Sequence, residues 1–391
     1  MLAIKGGKIY TIENGIIEDG IILIENGKIK KVGKDVEIPE GSEIIDAKGK
    51  HILPGFIDGH THIGIGEVGI REEGADYNDY EALSPHFRAI DGINPYDKGF
   101  EYARAGGVTT CGVAPGSANP IGGSVCAIKT AGKIVDEMIV KNPVGIKIAF
   151  GENPKYTGME RKRTPYTRMG VAALIREALT KALNYKKNLE WSKKKDEKPP
   201  DKDLFCESLI PVIERKIPLR AHAHRADDIA TAIRIAKEFN LKIVIEHGTE
   251  AHLIADFIAK EGVPVLLGPT MGTPSKIETQ KLTFKAAKIL RDAGVKFGII
   301  TDHDVIGIHY LLMCATLAVK EGLDEDTALR AITLTPAEIL GINDRVGSIK
   351  EGKDADIVIM SGEPFDVRSK VEKTIINGKI VFDIEKDKTP W

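Results

Sequence analysis

The run Pro54-Gly55-Phe56-Ile57-Asp58-Gly59-His60-Thr61-His62 sets an aspartate and two histidines at alternate positions directly after a Pro-Gly break. Along a strand, side chains two apart share a face, so Asp58, His60 and His62 are expected to project together. Two imidazoles at that spacing can grip one divalent cation, although such a pair serves equally well as core or surface side chains. Three runs downstream tip the balance. Ile217-Pro218-Leu219-Arg220-Ala221-His222-Ala223-His224, Lys242-Ile243-Val244-Ile245-Glu246-His247 and Phe297-Gly298-Ile299-Ile300-Thr301-Asp302 each lead an apolar stretch into a histidine or an aspartate. A helix-like segment follows each one, so the polar residue falls at the carboxyl end of a strand, where barrel enzymes keep their chemistry.

The elements that must position these residues are legible in outline. From about Gly55 to Ile349, strand-like runs alternate with amphipathic helices. Residues 226–240 carry Ile229, Ile233 and Ala236 at helical spacing, with Asp227 and Asp228 suited to the first turn. Similar helices are expected at 249–261, 279–293 and 309–321. The first half of this portion is less regular, and the pattern does not place its third strand. Both ends of the chain have a different texture, with short β-rich runs broken by Asn14-Gly15, Asn26-Gly27 and Asn377-Gly378, the turn pair that tolerates positive φ. The tetrapeptide Asn-Gly-Lys-Ile occurs at Asn26 and again at Asn377. Neither terminal piece is long enough to bury a sheet face alone. The expected fold is therefore α/β: a (β/α)8 TIM-like barrel over residues 55–349, inserted in a small β-sandwich built from both chain termini, residues 1–54 and 350–391. Residues 184–203, rich in lysine and ending in Pro199-Pro200, read as a solvated insertion.

At 391 residues and 42% hydrophobic content the chain can bury a large core. A net charge of −2 gives no electrostatic case for nucleic acid or an acidic membrane surface, so a small-molecule partner is expected. No stretch approaches the ~20 apolar residues of a membrane span, the amino terminus lacks a signal-peptide core, and a cytoplasmic location is expected. A homodimer or higher homo-oligomer is the base-rate assembly. Cys111, Cys126, Cys206 and Cys314 lack CxxC spacing and read as buried thiols. Gly64-Ile65-Gly66-Glu67-Val68-Gly69 satisfies GxGxxG, but it follows the two histidines and runs into Arg71-Glu72-Glu73-Gly74 rather than a clear helix, which argues against a dinucleotide site.

Taken together, the Pro54–His62 motif, His222 and His247 on successive strands, Asp302 on the last, and the tail Val346-Gly347-Ser348-Ile349-Lys350-Glu351-Gly352-Lys353-Asp354-Ala355-Asp356 resemble the amidohydrolase superfamily of metal-dependent hydrolases. Within it the chain looks most like the imidazolonepropionase and Xaa-Pro dipeptidase-like branch. The resemblance covers nearly the whole chain. It implies that His60 and His62 hold a first metal, that Asp302 completes it, and that His222 and His247 bind or face a second ion. One or two divalent transition ions per chain are implied, zinc first, with nickel, manganese or iron as alternatives. His222 and His224 fall on one face and compete for the fifth-strand role; His222 fits the family pattern, leaving His224 to meet substrate or pack in the core. Lys147 lies in an apolar run where the fourth strand should be, and a lone buried lysine is costly unless paired or chemically changed. In binuclear members a lysine on this strand is carboxylated and bridges two metals; the alternative here is an ordinary ammonium paired with a carboxylate or substrate.

The implied activity is hydrolysis of an amide-type C–N bond in a cyclic amide, an imidazolone-like ring or a small peptide or N-acyl substrate. Asp302 and His247 are the expected catalytic groups, with Asp302 moving the proton and Asp58 supporting the ligands from behind. Asn119 in the Gly-rich stretch 114–124, and Glu152 and Tyr156 just beyond Lys147, are candidates to meet substrate. Two other readings remain open: a metal-dependent deaminase of an aminated heterocycle, and a barrel scaffold without activity. The deaminase reading calls for an acid close after the fifth-strand histidine, where this chain has His224. The scaffold reading sits poorly with a complete ligand set.

Overall fold

The computed structural model describes residues 1–69 and 75–390; Arg71-Glu72-Glu73-Gly74, the segment into which the GxGxxG run leads, lies outside the described residues. Strands β1 (Leu2–Tyr10), β2 (Ile16–Glu25), β3 (Lys28–Gly33), β4 (Glu43–Asp46) and β5 (His51–Pro54) open the chain. A second set follows, interleaved with helices: β6 (Phe56–Thr61), α1 (Lys98–Ala105), β7 (Val108–Val113), β8 (Ile121–Lys129), α2 (Val135–Met138) and β9 (Ile139–Ala149). Then come α3 (Glu152–Glu160), α4 (Arg168–Lys195), α5 (Leu204–Ile213), β10 (Leu219–Ala223), α6 (Ala226–Glu238) and β11 (Ile243–His247). The set ends with α7 (Ala255–Glu261), β12 (Val265–Leu267), α8 (Ala286–Asp292), β13 (Phe297–Ile299), α9 (Leu311–Lys320), α10 (Glu325–Ala331) and α11 (Leu334–Leu340). Strands β14 (Ile357–Met360), β15 (Val371–Ile376) and β16 (Lys379–Asp383) close the chain.

Strands β6 to β13 form one eight-stranded sheet in sequence order, which curls into a nearly closed barrel. The seam between β13 and β6 is stitched by Asp58, whose carboxylate accepts from the backbone N–H of Thr301 at 3.1 Å and from its hydroxyl at 2.6 Å. A strict (β/α)8 alternation does not hold. Strand β8 runs antiparallel to both β7 and β9. The connection 114–120 is too short for the crossover of a dozen or more residues that a parallel return demands, so the chain turns straight back. That reversal is why the third strand escapes a β/α pattern.

The two chain ends share a sheet. Its order is β16-β15-β14-β5-β1-β2-β3, with β4 also on β1, and its apolar face gathers Ile4, Ile22, Ile52, Ile357 and Ile375 into one cluster. The ladder is continuous through all eight strands, so hydrogen bonding does not divide it into the two layers of the expected sandwich. Two of the three Asn-Gly pairs turn with both residues at positive φ, Asn26 and Gly27 at 50° and 76° and Asn377 and Gly378 at 49° and 73°, whereas at Asn14-Gly15, between the paired β1 and β2, only Gly15 is positive, at 78°.

Residues 184–203 are largely solvent-exposed, as expected, but they are helical as far as Lys195. Helix α4 is 28 residues long and continues through Lys195, because Ala178, Leu179, Ala182 and Tyr185 keep one face buried, with Ser192 buried further along. Lys193, Lys194 and Lys195 occupy its last turn, where the helix dipole favours cations. All four cysteines are free and buried. Among the described residues no helix is long and apolar enough to cross a membrane.

Barrel and terminal sheet are joined by a buried ion cluster. Lys129 on β8 reaches Asp354 at 3.0 Å and also bonds Asp356, all three nearly inaccessible. Replacing Lys129 by Met should leave the buried Asp356 without its cation, while Asp354 keeps Lys28 and Arg345, and should cost about 3 kcal/mol of folding stability. Urea unfolding measures this as a lower midpoint; an unchanged midpoint would show that the cluster contributes nothing.

Candidate metal centre

The carboxyl ends of the barrel strands bring the expected polar residues together. His60 and His62 arrive from the end of β6, Lys147 from β9, His222 from β10 with His224 just beyond, His247 from the end of β11, and Asp302 from just past β13. Two groups of donor atoms each lie within 4.8 Å of one another: His60, His247 and Asp302, and His222, His224 and His247. Within the first group His60 Nε2 is 3.2 Å from Asp302 Oδ1, and His62, outside that group, brings its Nε2 to 3.5 Å from the same oxygen. His247 and Asp302 leave regular strand geometry to get there, with φ of 74° and 55°. Such positive values are costly for non-glycine residues and concentrate at functional sites.

Hydrogen bonds fix the imidazole tautomers. His62 donates from Nδ1 to the carbonyl of Ala114 at 2.8 Å, and His247 from Nδ1 to the carbonyl of Gly268 at 3.0 Å. A carbonyl only accepts, so the proton sits on Nδ1 and the lone pair on Nε2. His247 Nε2 is buried and has no hydrogen-bond partner, and Asp302 Oδ1 is in the same state. Burial pushes the His222 and His247 imidazoles well below their usual pKa and His224 down to about 4, which keeps them neutral. Burial alone would raise the Asp302 carboxyl, but His247, His60 and His62 around it hold it well below the carboxylate range. Neutral nitrogen donors and one ionised oxygen, with unused lone pairs turned inward, fit a borderline divalent transition ion.

Below this layer lies a charge cluster around Glu246, which sequence reasoning did not single out, although pairing with a carboxylate was one of its two readings of Lys147. Glu246, fully buried, accepts from Lys147 Nζ at 2.6 Å, lies 2.7 Å from an Arg220 nitrogen, and lies 3.1 Å from His60 Nδ1. Burial would raise its carboxyl, yet His60, Lys147 and Arg220 hold it well below its usual value. Lys147 Nζ is also 3.4 Å from His60 Nε2, and burial pushes its amine downward. The available signal was an acid inside an apolar run, which demands a buried cation.

The mouth opens into a cavity of about 390 Å³, bordered by His62, Tyr77, Asn153, His222, His224 and Lys276. Tyr156 also borders it and is exposed. Two expected substrate contacts do not. Asn119 is buried away from the cavity, its side-chain oxygen accepting from Arg163 at 3.3 Å. Glu152 is turned to the chain beside it, its carboxylate accepting from the backbone N–H of Glu278 at 3.1 Å. Asp58 sits under the ligands at the barrel seam, bonded to Thr301 and to the backbone N–H of His60 at 3.2 Å. Asn153, at the start of α3 beside the expected Glu152 and Tyr156, does border the cavity, whereas Glu278, Tyr77 and Lys276 were not singled out in the sequence, because they lie in the connections between the barrel elements.

Comparison with known proteins places these observations. The model of the Amidohydrolase family matches residues 206–381. An amidohydrolase structure from Thermotoga maritima MSB8 is 45% identical, with a TM-score of 0.95, covering 98% of this chain and all of that one. An amidohydrolase of Hapsidospora irregularis, tasK, is 30% identical over 93% of this chain, which spans 40% of that protein's length. An imidazolonepropionase of Thermoplasma volcanium is 25% identical, over 96% of this chain and 93% of that one.

If the donors hold a cation, Zn²⁺ at about a hundred times its dissociation constant should stabilise the fold by about 2.7 kcal/mol. Thermal melts with and without a chelator read this as a Tm shift, and His247→Ala should lose most of it. An unchanged Tm on chelation would count against a bound ion.

Proposed function

The chain belongs to the amidohydrolase family, and from that membership we propose that it hydrolyses an amide-type C–N bond in a small molecule, with a divalent metal at the barrel mouth. The observation that carries this reading is the meeting of His60, His247 and Asp302, whose donor atoms lie within 4.8 Å of one another, with His62 Nε2 3.5 Å from Asp302 Oδ1. Zn²⁺ is the first choice of ion, with Ni²⁺, Mn²⁺ and Fe²⁺ as alternatives. When bound there, such an ion supplies a Lewis acid for the scissile carbonyl and lowers the pKa of water.

The chain's own groups supply the rest. Asp302 is ionised at neutral pH and has one oxygen without a hydrogen-bond partner, so it can take the proton from the attacking water as the C–O bond forms. The same proton then passes to the leaving nitrogen as the C–N bond breaks. Asp58 holds Thr301, the residue before Asp302, and so fixes where that carboxylate stands. His62 is tied to Ala114 and stacked on Tyr77 with 5.1 Å between rings, which orients it along one cavity wall. The cavity volume suits a small ligand rather than a folded protein. Cyclic amides, imidazolone-like rings and small peptide or N-acyl compounds are the substrate classes proposed, in keeping with the relatives named above.

Asp302→Asn should keep most of the bound metal yet lower kcat by roughly 10² to 10⁴-fold, the usual worth of a positioned proton carrier. Hydrolysis assays across those classes, with Zn²⁺, Mn²⁺ and Ni²⁺ supplied separately, measure it. Near-normal turnover in this variant would remove Asp302 from the proposed role.

A further inference from the structure

The segment between β12 and α8 walls one side of the cavity. Pro269, Gly272, Ser275, Lys276, Thr279 and Leu282 border it from that segment, while α3 supplies Asn153, Tyr156 and Thr157. The connection carries no strand and no helix longer than a single turn. Connections this long and irregular are uncommon in compact domains and concentrate where a site is covered.

This segment is fastened at few points. Among the described residues, the hydrogen bonds that 269–280 make outside themselves all go to Glu152 and Asn153 at the head of α3. The Glu278 carboxylate accepts from the backbone N–H of Glu152 at 2.8 Å, and the Glu152 carboxylate accepts from the backbone N–H of Glu278 at 3.1 Å. Lys276 Nζ donates to the side-chain oxygen of Asn153 at 2.5 Å. Met271 adds apolar packing against the core.

The reciprocal pair follows from the local chain. Gly151 precedes α3 and has no side chain to cap it, so the first N–H groups of the helix need acceptors from elsewhere. Glu278 supplies one, and the helix dipole favours a carboxylate there. The approach is open only over glycine, because a Cβ on Gly151 would stand 2.5 Å from the Glu278 oxygen that makes the bond. Glu278 is fully buried in this position. A buried carboxylate regains its hydration on leaving, so the bonds hold the segment shut by a narrow margin.

We propose that residues 269–282 are a lid on the cavity, and that Glu152 and Glu278 are the positioning residues that clasp it shut. Release of the clasp parts the lid from α3 and opens the way to the donor atoms at the barrel mouth; closure keeps water out while substrate is held. What the lid admits rests on the hydrolase reading above, whereas the clasp stands on its own hydrogen bonds. Glu152, expected from the sequence to meet substrate, is used to hold the wall that does.

Limited trypsin digestion of the full chain tests the clasp without substrate. Lys276 and Lys281 lie in the lid and are cut when it opens, and the exposed Lys193, Lys194 and Lys195 serve as an internal reference. Glu152→Ala deletes the acceptor for the Glu278 N–H and should speed cleavage after Lys276 about tenfold against that reference, the worth of one charge-assisted hydrogen bond. Glu152→Gln keeps an acceptor oxygen and should stay within about twofold of wild type. Zinc release to a chromophoric chelator, followed as a rate, should rise in the same ratio in Glu152→Ala, because the ion leaves through the same opening. Equal cleavage in Glu152→Ala and wild type would overturn the proposal. Faster cleavage with zinc release unchanged would also overturn it, since the segment would then open without uncovering the site. If wild type binds no zinc, the metal-dependent reading falls, and the cleavage ratio still decides the clasp.

Discussion

Four barrel strands meet at one carboxylate. Glu246 on β11 is held by Lys147 on β9, by Arg220 on β10 and by His60 on β6, all in the dry interior beneath the mouth. A buried charge is costly alone, and a removed partner leaves several kcal/mol of uncompensated desolvation. The cluster therefore tolerates few arrangements, and those it tolerates set the height and rotation of His60. Everything above it inherits that position, since His60 shares an ion-sized space with Asp302 and His247.

The layer above is built by departures from regular strand geometry. An ideal strand would send His247 to the opposite face from Glu246. Its positive φ swings the ring back over the barrel, where the Gly268 carbonyl catches it. Asp302 is turned in the same way just past β13, and the Asp58 bonds to Thr301 hold the chain at that turn. Local strain of this kind persists only where surroundings over-determine it. The barrel seam, the buried charge cluster and the carbonyl partners together do so here, and the result is a set of neutral nitrogens whose lone pairs have nowhere else to go.

The terminal sheet contributes from a distance. Lys129 on β8 bonds Asp354 and Asp356 just before β14, so the antiparallel reversal in the barrel is tied to the sheet that both chain ends build. Strand β8 is flanked by β7 and β9, and β9 carries Lys147. A displacement of the terminal sheet would thus be felt at Glu246 through two strands.

Sequence alone determined what depends on neighbours along the chain. The Asp58, His60 and His62 spacing, the histidines and aspartate closing apolar runs, the Asn-Gly hairpins and the helices after β10 to β13 are short-range patterns, read from periodicity and turn chemistry. Tertiary structure decided what depends on distance in space. It turned β8 antiparallel, extended α4 through a solvated lysine-rich run, and moved Asn119 and Glu152 out of the cavity. It also delivered Glu246 and Glu278 to the ligands. An acid in an apolar run or on a loop carries no mark of its partners, because the cations and imidazoles that make its burial tolerable come from other strands, and only closing the barrel brings them within reach.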